Sequence, residues 1–262
     1  MGQDPPGDIP VMFLPGIVSG RDRGHSPLVF SPDGREAYWT EMGMRAQGMM
    51  KMVLEGGRWS APENTGLWGD PGLSPDGGRM AFINRVEHAE GEGEGVDHIY
   101  YMDRTEDGWT APVSAGDEVN AKKPHWRPSL DSDGNLYFSE FADRMYFSPF
   151  SGGEYGEPVL LSEYLGNETI RGYAPFISPG GDYLLFSDGN RMYVSFRDSA
   201  GRWLDRIDMG EKINAPDTAS DLPVVTPDGR YIFFLGHGSG REWGVYWVSA
   251  EVIGRLKADL GL

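Results

Sequence analysis

Polar and aromatic residues that could bind or transform a ligand recur at two places in this sequence. One place lies just before a short apolar run and contains His25, Asp70, His125, Trp126, Arg127, Arg171, Tyr173 and Asp221. The other lies just after an aromatic run and contains Glu41, Asn84, Glu140, Asp188 and His237. If the fold brings both places to one surface, imidazoles, carboxylates, guanidinium groups and aromatic rings converge there, as in a ligand-binding pocket.

Ligand capture is the simplest chemistry for this set. Trp126 and Tyr173 are suited to stacking on a sugar ring or a peptide. Arg127 and Arg171 are suited to pairing with a carboxylate of the ligand. Each residue alone could equally be an exposed end of a turn, so the prediction depends on the whole set.

Two catalytic chemistries use the same residue types. Glycoside cleavage needs two carboxylates, one held protonated and one ionised, and the candidates are Asp70, Glu140, Asp188 and Asp221. Lyase or hydrolase chemistry could use a divalent cation held by His25, His125 and nearby carboxylates. No known glycosidase motif surrounds the four acids, so no catalytic residue is assigned. A divalent cation is the one cofactor that these residues suggest.

A motif present five times must position these residues. It reads FSPDGREAYWTEM, LSPDGGRMAFINR, LDSDGNLYFSEF, ISPGGDYLLFSDG and VTPDGRYIFFLGH, with the turn glycines Gly34, Gly77, Gly134, Gly181 and Gly229. An apolar run, a Pro-Asp-Gly-type turn and an alternating aromatic run predict a two-stranded hairpin. The turn glycines are 43, 57, 47 and 48 residues apart, which is the period of a β-propeller blade.

The outer strands of the blades are predicted from a second motif. It follows each of the first four hairpins and contains the aromatic residues Trp59, Trp109, Tyr155 and Trp203. The stretch 86–98 is rich in glycine and glutamate and accounts for most of the long 57-residue interval. It predicts a loop inserted into the second blade.

The two ends of the chain predict how the ring closes. The fifth repeat lacks the outer-strand motif and continues into a helix pattern, with Ser249 as the expected N-cap and an apolar face of Val252, Ile253, Leu256 and Leu260. The segment 9–16, IPVMFLPG, resembles the outer strand of the third repeat, EPVLLSEY. Pairing this N-terminal strand with the last blade would leave that blade no open edge.

The repeated SPDG turn followed by an aromatic strand resembles the WD-like propeller repeats of TolB-type proteins. The ending VYWVSAEVIGRLK is also similar to the terminus of exported bacterial members of that group. The resemblance covers roughly residues 10–258 and implies a periplasmic or extracellular location. TolB-like propellers usually have six blades, which makes six the alternative to the five counted here. TolB is larger and has a further domain, for which these residues show no counterpart, so the resemblance does not extend to the partners of TolB.

Composition excludes several classes of function. The net charge of −17 disfavours nucleic acid as a partner. The absence of cysteine excludes disulfides and thiolate chemistry. No apolar run is long enough to span a membrane. No phosphate loop, dinucleotide fingerprint or nucleophile elbow is present.

We therefore expect an all-β, five-bladed, monomeric propeller over 1–262. The predicted blades are 17–66, 67–120, 121–169, 170–218 and 219–250, with a closing strand at 9–16 and a C-terminal helix at 250–261. The innermost strands should begin around one mouth of the central channel, which gathers the residues named above. The expected function is capture of a small molecule, glycan or peptide there. The alternatives are a carbohydrate-active hydrolase or lyase and a protein-interaction scaffold.

Overall fold

The chain folds into five antiparallel sheets arranged in a ring, and the five-bladed propeller is thereby confirmed. The computed structural model describes residues 3–20, 23–43, 47–86, 96–122, 125–140, 143–238 and 241–262. Within these ranges, no side chain is described at residues 23–25, 42–43, 47, 86, 96 and 125–126.

Each blade has its innermost strand at the central channel and its later strands progressively further out. The first strand of the chain, β1 (Val11–Met12), belongs to the last blade. Blade 1 contains β2 (Arg23–His25), β3 (Val29–Phe30), β4 (Glu36–Gly43), β5 (Gln47–Glu55), β6 (Arg58–Trp59) and β7 (Glu63–Asn64). Blade 2 contains β8 (Gly69–Leu73), β9 (Arg79–Val86), β10 (Val96–Thr105), β11 (Gly108–Trp109) and β12 (Val113–Ser114), followed by helix α1 (Asp117–Asn120).

The remaining blades repeat this order. Blade 3 contains β13 (His125–Leu130), β14 (Leu136–Glu140), β15 (Arg144–Ser148), β16 (Phe150–Ser151), β17 (Glu154–Tyr155) and β18 (Val159–Leu160), followed by helix α2 (Leu161–Leu165). Blade 4 contains β19 (Tyr173–Ile177), β20 (Tyr183–Asp188), β21 (Arg191–Phe196) and β22 (Ile207–Asp208). Blade 5 contains β23 (Thr218–Val225), β24 (Tyr231–Gly238) and β25 (Gly244–Ser249), and helix α3 (Glu251–Asp259) ends the chain.

The N-terminal strand closes the ring, as the sequence predicts. Strand β1 pairs antiparallel with β25, with Val11 opposite Trp247, and gives blade 5 its fourth strand. Next to it, the ring of Phe13 lies 4.9 Å from that of Phe233 and 5.3 Å from that of Trp247. Edge-to-face pairs of this kind each contribute about 0.5–1.5 kcal/mol beyond their buried area.

The C-terminal helix begins later than the sequence indicates. Its N-cap is Ala250, whereas Ser249 is the last residue of β25 and its hydroxyl accepts the Glu251 N–H at 3.3 Å. Ile253 is buried, but Leu260 lies beyond the helix and is 45% exposed. The predicted apolar face is therefore shorter than expected at its C-terminal end.

The repeated turn explains why Ser, Pro, Asp and Gly recur together. In blade 1 the Ser31 hydroxyl donates to the Asp33 carboxylate at 2.6 Å, and that carboxylate accepts the Arg35 N–H at 3.0 Å. Gly34 adopts a φ of 68°, in the left-handed region that glycine enters without strain. Four of the turns contain a proline, and we call Pro32, Pro75, Pro179 and Pro227 the turn prolines.

A bulge interrupts the innermost strand of blades 2 to 5. At the bulge one residue has positive φ, namely Asp70 (48°), Arg127 (51°), Ala174 (54°) and Leu222 (60°). A proline follows each one, and we call Pro71, Pro128, Pro175 and Pro223 the strand prolines. Blade 1 has Pro27 where the others have the positive-φ residue, four positions before the turn serine. The bulge re-aims the chain at the same depth of the channel in every blade that has it.

Hydroxyl groups join adjacent blades at these bulges. The Thr40 hydroxyl accepts the Asp70 N–H at 2.6 Å, the Ser139 hydroxyl accepts the Ala174 N–H at 3.2 Å, and the Ser187 hydroxyl accepts the Leu222 N–H at 3.1 Å. The equivalent residues of the other two blades are Ile83 and Leu235, which have no hydroxyl. Leu235 leaves no donor unsatisfied, because the bulge position that follows it around the ring is Pro27, which has no N–H.

A repeated aromatic residue on the second strand fills the space between blades. Trp39, Phe82, Phe138, Phe186 and Phe234 occupy equivalent positions and are all fully buried. Burial of a side chain of this size stabilises the fold by about 1.5–3 kcal/mol. The repeated residues thus form the packing between blades. Residues that differ from blade to blade are the candidates for function.

Candidate functional site

The predicted mouth lies where the innermost strands begin and the second strands end. Pairing of the inner strands near the mouth supports the alignment of the repeats: His25 lies opposite Glu41, and His125 lies opposite Glu140. The two histidines therefore occupy equivalent positions in blades 1 and 3. The side chains of His25, His125 and Trp126 lie outside the described residues, so their contacts with a ligand stay a prediction.

Four side chains at the blade 4–blade 5 side of the mouth form one connected cluster, which we call the mouth cluster: Tyr173, Asp221, His237 and Trp243. The Tyr173 hydroxyl donates to Asp221 Oδ1 at 2.5 Å, and His237 Nε2 lies 3.5 Å from Asp221 Oδ2. The imidazole of His237 stacks on the indole of Trp243, with ring centroids 4.6 Å apart and 23° between planes.

Solvent exposure increases across the mouth cluster from Asp221 to Trp243. Asp221 and Tyr173 are 6% and 8% exposed, whereas Trp243 is 38% exposed. Burial raises the pKa of Asp221 above its usual value, although the Tyr173 hydroxyl and His237 both oppose that rise. Burial, together with the adjacent Asp221 carboxylate, also raises the pKa of Tyr173, which keeps its hydroxyl a donor.

Asp70 joins blades 1, 2 and 3 at the same depth. Its carboxylate accepts the Thr40 hydroxyl at 3.4 Å and the backbone N–H of Arg127. That N–H would otherwise face Ile83, which has no hydroxyl, so the carboxylate takes the place of the hydroxyl that joins other blades. Burial raises the pKa of Asp70. The positive charge of Arg127 opposes this rise, and the negative charge of Asp97 adds to it. Asp70 therefore has an architectural role beside any contact with a ligand.

Arg127 lies at the bulge of β13, apart from the mouth cluster. It is 5% exposed and is among the residues that line a cavity towards the turns. Its Nη1 atom has no hydrogen-bond partner in the described part of the chain. Burial lowers the pKa of Arg127, and Asp70 opposes this effect. An arginine nevertheless stays protonated at ordinary pH.

The predicted residues at the ends of the second strands are held by neighbours. Glu140 accepts the Tyr146 hydroxyl at 2.8 Å and lies 3.4 Å from Arg144. Asp188 pairs with Arg206 at 2.5 Å. Glu41 is buried, with 3% exposure. Arg171 pairs with Glu168 at 3.3 Å, and its side chain is 65% exposed. The structure thus places Arg171 at the surface. It pairs Glu140 with Tyr146 and Arg144, and Asp188 with Arg206.

The predicted cation site is not assembled by the side chains that the structure describes. Among them, no three histidine, aspartate or glutamate residues are grouped closely enough to hold a metal ion. Both histidines named for that role have side chains outside this set. A divalent cation at the mouth stays a prediction.

Two features of the channel are absent from the sequence-based prediction. Trp243 belongs to the glycine-rich sequence GSGREWG, which follows the predicted mouth residue His237. A tryptophan in that position was the available signal. The signal for the turn-end cavity was the strand prolines, which lie at the same distance in sequence from the turn in four repeats.

The fold is similar to that of solved β-propellers. The putative TolB from Agrobacterium tumefaciens has a TM-score of 0.54 at 17% identity, over 87% of this chain and 77% of that one. TolB from Acinetobacter baumannii has a TM-score of 0.53 at 15% identity, over 88% and 55%. The GH43 BlXynB protein from Bacillus licheniformis has a TM-score of 0.53 at 13% identity, over 93% and 57%.

These likenesses show the fold alone. The chain spans about half the length of the Acinetobacter TolB and of the BlXynB protein. No protein-family model and no curated protein matches the chain. No helix in the described ranges is both long and apolar enough to cross a bilayer. Since one propeller fold serves both binding proteins and enzymes, a function for this TolB-like fold has to be argued from its own side chains.

Proposed function

We propose that this protein is a ligand-binding propeller that captures a carbohydrate or peptide at the mouth, with a carbohydrate favoured by the mouth cluster. The observation that supports the proposal is the partly exposed Trp243 stacked on His237 next to the buried carboxyl of Asp221. The periplasmic or extracellular location proposed with it rests on the resemblance of the repeats to TolB-type proteins.

The mouth cluster has the two parts that sugar recognition needs. An aromatic ring at the rim can pack against the apolar face of a pyranose. A carboxyl and a phenol held deeper can exchange hydrogen bonds with hydroxyl groups, with their own geometry fixed by the 2.5 Å bond between Tyr173 and Asp221. A polar group fixed in this way loses little freedom when the ligand binds.

A hydrolase remains the second candidate, because the buried Asp221 has the raised pKa that a general acid needs. Cleavage also needs a partner carboxylate that stays ionised. Burial raises the pKa of Asp70 as well, and its oxygens already accept hydrogen bonds from Thr40 and Arg127. Glu140 and Asp188 are tied to neighbouring side chains. The geometry therefore favours binding over turnover.

The scaffold alternative would use the outer rims of the blades. Exposed apolar residues there include Val11, Val113 and Val159, each on the outermost strand of a different blade. Single exposed apolar residues are normal on a soluble surface and do not form a docking patch. This reading therefore ranks third.

The test is a binding titration with acidic and neutral oligosaccharides and short peptides, using wild type, Trp243→Ala and Asp221→Asn. We expect one glycan class to raise the melting temperature of wild type. Loss of an aromatic contact should weaken binding by about 3- to 10-fold in Trp243→Ala. Trp109→Ala is the matched control, because Trp109 lies on the outer hairpin of blade 2 and stacks with Arg104.

The same mixtures should be assayed for new reducing ends. Binding without cleavage supports the proposed function, whereas cleavage lost in Asp221→Asn replaces it with the hydrolase. If no glycan or peptide binds, or if Trp109→Ala weakens binding as much as Trp243→Ala, the mouth cluster is not the site.

A further inference from the structure

The turn end of the channel contains a cavity that the proposed function does not use. It has a volume of about 160 Å³ and runs from Arg127 to the turns. All the turn prolines and all the strand prolines line it. Tyr173, Asp221 and the other members of the mouth cluster do not. An engineered cavity of about 150 Å³ in another protein holds benzene, so this one is large enough for a single small ring.

The walls of this cavity are mostly apolar. Two tiers of proline rings contribute no N–H donor, and Leu73, Phe176 and Val224 add further apolar surface. The hydroxyls of Ser74 and Thr226 line it too, but both donate to the aspartate of their own turn at 2.6 Å. A ligand that lies among these walls must itself be largely apolar.

Arg127 is the exception in this lining. It is the one charged residue among the described residues that line the cavity. Arg127 is only 5% exposed, and its Nη1 atom has no hydrogen-bond partner in the part of the chain that the structure describes. No ion pair joins the guanidinium to Asp70, whose carboxylate accepts the Arg127 backbone N–H instead. A buried cation left without a close partner is destabilising, and a bound anion would relieve that cost.

We propose that the turn-end cavity binds a small organic carboxylate, with the carboxylate on the Arg127 guanidinium and a compact apolar body between the two tiers of prolines. A guanidinium offers a planar pair of donors that matches a carboxylate. A monoanion with an apolar body suits these walls better than phosphate, whose stronger hydration would be lost without replacement. The carboxylate can belong to a free acid or to the C-terminus of a peptide.

This inference does not rest on the proposed function. The mouth cluster and the turn-end cavity lie at opposite ends of the channel and are tested with different ligands and different variants. Failure of oligosaccharide binding in Trp243→Ala leaves the cavity untouched, and failure of carboxylate binding leaves the mouth cluster untouched.

The first experiment is calorimetric titration of the wild-type protein with benzoate, benzamide and phosphate. We expect saturable one-to-one binding of benzoate and at least ~10-fold weaker binding of benzamide, which lacks the charge. Phosphate should bind more weakly than benzoate. Equal binding of benzoate and benzamide, or no binding of benzoate, would overturn the proposal.

A short peptide ending in phenylalanine, with a free or an amidated C-terminus, identifies the source of the carboxylate. Tighter binding of the free-terminus peptide than of benzoate assigns a peptide end as the ligand, whereas tighter binding of benzoate assigns a free acid. Both results support the cavity as a carboxylate site. If both peptides bind measurably and with equal affinity, a role for the carboxylate is contradicted.

Arg127→Met separates this site from a purely structural arginine. Since the variant removes a buried charge and keeps an unbranched apolar side chain, we expect its ligand-free melting temperature to equal or exceed that of wild type. Its affinity for benzoate should fall at least ~10-fold. Arg58→Met is the matched control, because Arg58 is exposed on the outer hairpin of blade 1.

Two results would count against the proposal. Unchanged benzoate affinity in Arg127→Met would place the ligand elsewhere. A large fall in melting temperature in Arg127→Met, with benzoate and benzamide bound equally by wild type, would make Arg127 a structural residue. The benzoate and benzamide comparison on wild type decides the matter even if the variant does not fold.

Discussion

The pKa values of aspartates shift in opposite directions at the two ends of the channel. In the turns, a hydrogen bond from the Ser31 hydroxyl lowers the pKa of Asp33, and a hydrogen bond from Ser74 lowers that of Asp76. Towards the mouth, burial raises the pKa of Asp70 and of Asp221. The same side chain is thus stabilised in its ionised form at one end and destabilised at the other.

The difference follows from what each carboxylate replaces. A turn aspartate accepts a hydroxyl and a backbone N–H in the solvent-accessible turn, so ionisation costs little and strengthens both bonds. A channel aspartate also has two polar partners, but its loss of water raises the pKa by more than those partners lower it. Repeated aspartates therefore stabilise the turns, whereas the unrepeated Asp70 and Asp221 make contacts that are particular to their own blades.

The largest test of this comparison removes a carboxylate at each end. Asp70→Ala should lower the free energy of unfolding by about 3 kcal/mol, because the Arg127 N–H loses its acceptor and the buried guanidinium loses its nearest opposite charge. Asp76→Ala should lower it by about 1 kcal/mol, since water can reach the freed groups in the turn. Urea unfolding of both variants measures the difference.

A double variant identifies the cause of the larger effect. In Asp70→Ala/Arg127→Met the buried charge is also removed, so part of the lost stability should return. An Asp76→Ala cost equal to that of Asp70→Ala, or no recovery in the double variant, would show that the two ends do not differ as described.

Much of this architecture could be predicted from the sequence because it is repeated. The turn glycines fix the number of blades, and the missing outer strand of the fifth repeat requires a strand from elsewhere, which the pairing of Val11 with Trp247 supplies. Local rules suffice for these features, since a turn depends on neighbours within a few residues.

The contacts between blades could not be predicted in the same way. The hydrogen bond from the Arg127 N–H to Asp70, and the place of Arg127 in the cavity lining, depend on the bulge and on how one blade is rotated against the next. Trp243 stacks on His237, six residues earlier in the chain, and local sequence rules do not predict that contact. Sequence alignment identified the ring of equivalent positions but not the end of the channel that each side chain faces.

The second test concerns the hydroxyls that accept a backbone N–H from the next blade. Asp70 accepts the Arg127 N–H in the same way, at the blade where Ile83 has no hydroxyl. Ser187→Ala should lower the free energy of unfolding by about 1–3 kcal/mol, because the partly buried Leu222 N–H, now bonded at 3.1 Å, would be left without an acceptor. Leu235→Thr is the comparison at the equivalent position of blade 5, where the facing Pro27 has no N–H to bond.

We expect Leu235→Thr to bring no gain in stability, since the new hydroxyl meets no donor from the next blade and buries a polar group. Denaturant unfolding of both variants measures the contrast. A stabilising Leu235→Thr, or a neutral Ser187→Ala, would show that these hydroxyls are not what joins the blades, and that Asp70 is not their substitute.

The smallest effect is a difference in pH dependence between the two ends. The lowered pKa of Asp76 contributes stability that is present above the unfolded value of about 3.8 and is lost as the pH falls through its folded value. The raised pKa of Asp221 acts in the opposite sense, because stability declines as the pH rises from about 3.8 to its folded value. Asp76→Asn should therefore be less stable than wild type near neutral pH, and this deficit should shrink in acid.

Asp221→Asn should gain stability relative to wild type as the pH rises over that window, by about 1.4 kcal/mol for each unit of pKa shift. The free energy of unfolding of the three proteins, measured from acid to neutral pH, gives two difference curves. Slopes of opposite sign would confirm that solvation and hydrogen bonding divide the aspartates of this propeller. Slopes of the same sign would mean that Tyr173 and His237 stabilise the Asp221 carboxylate by more than its burial destabilises it.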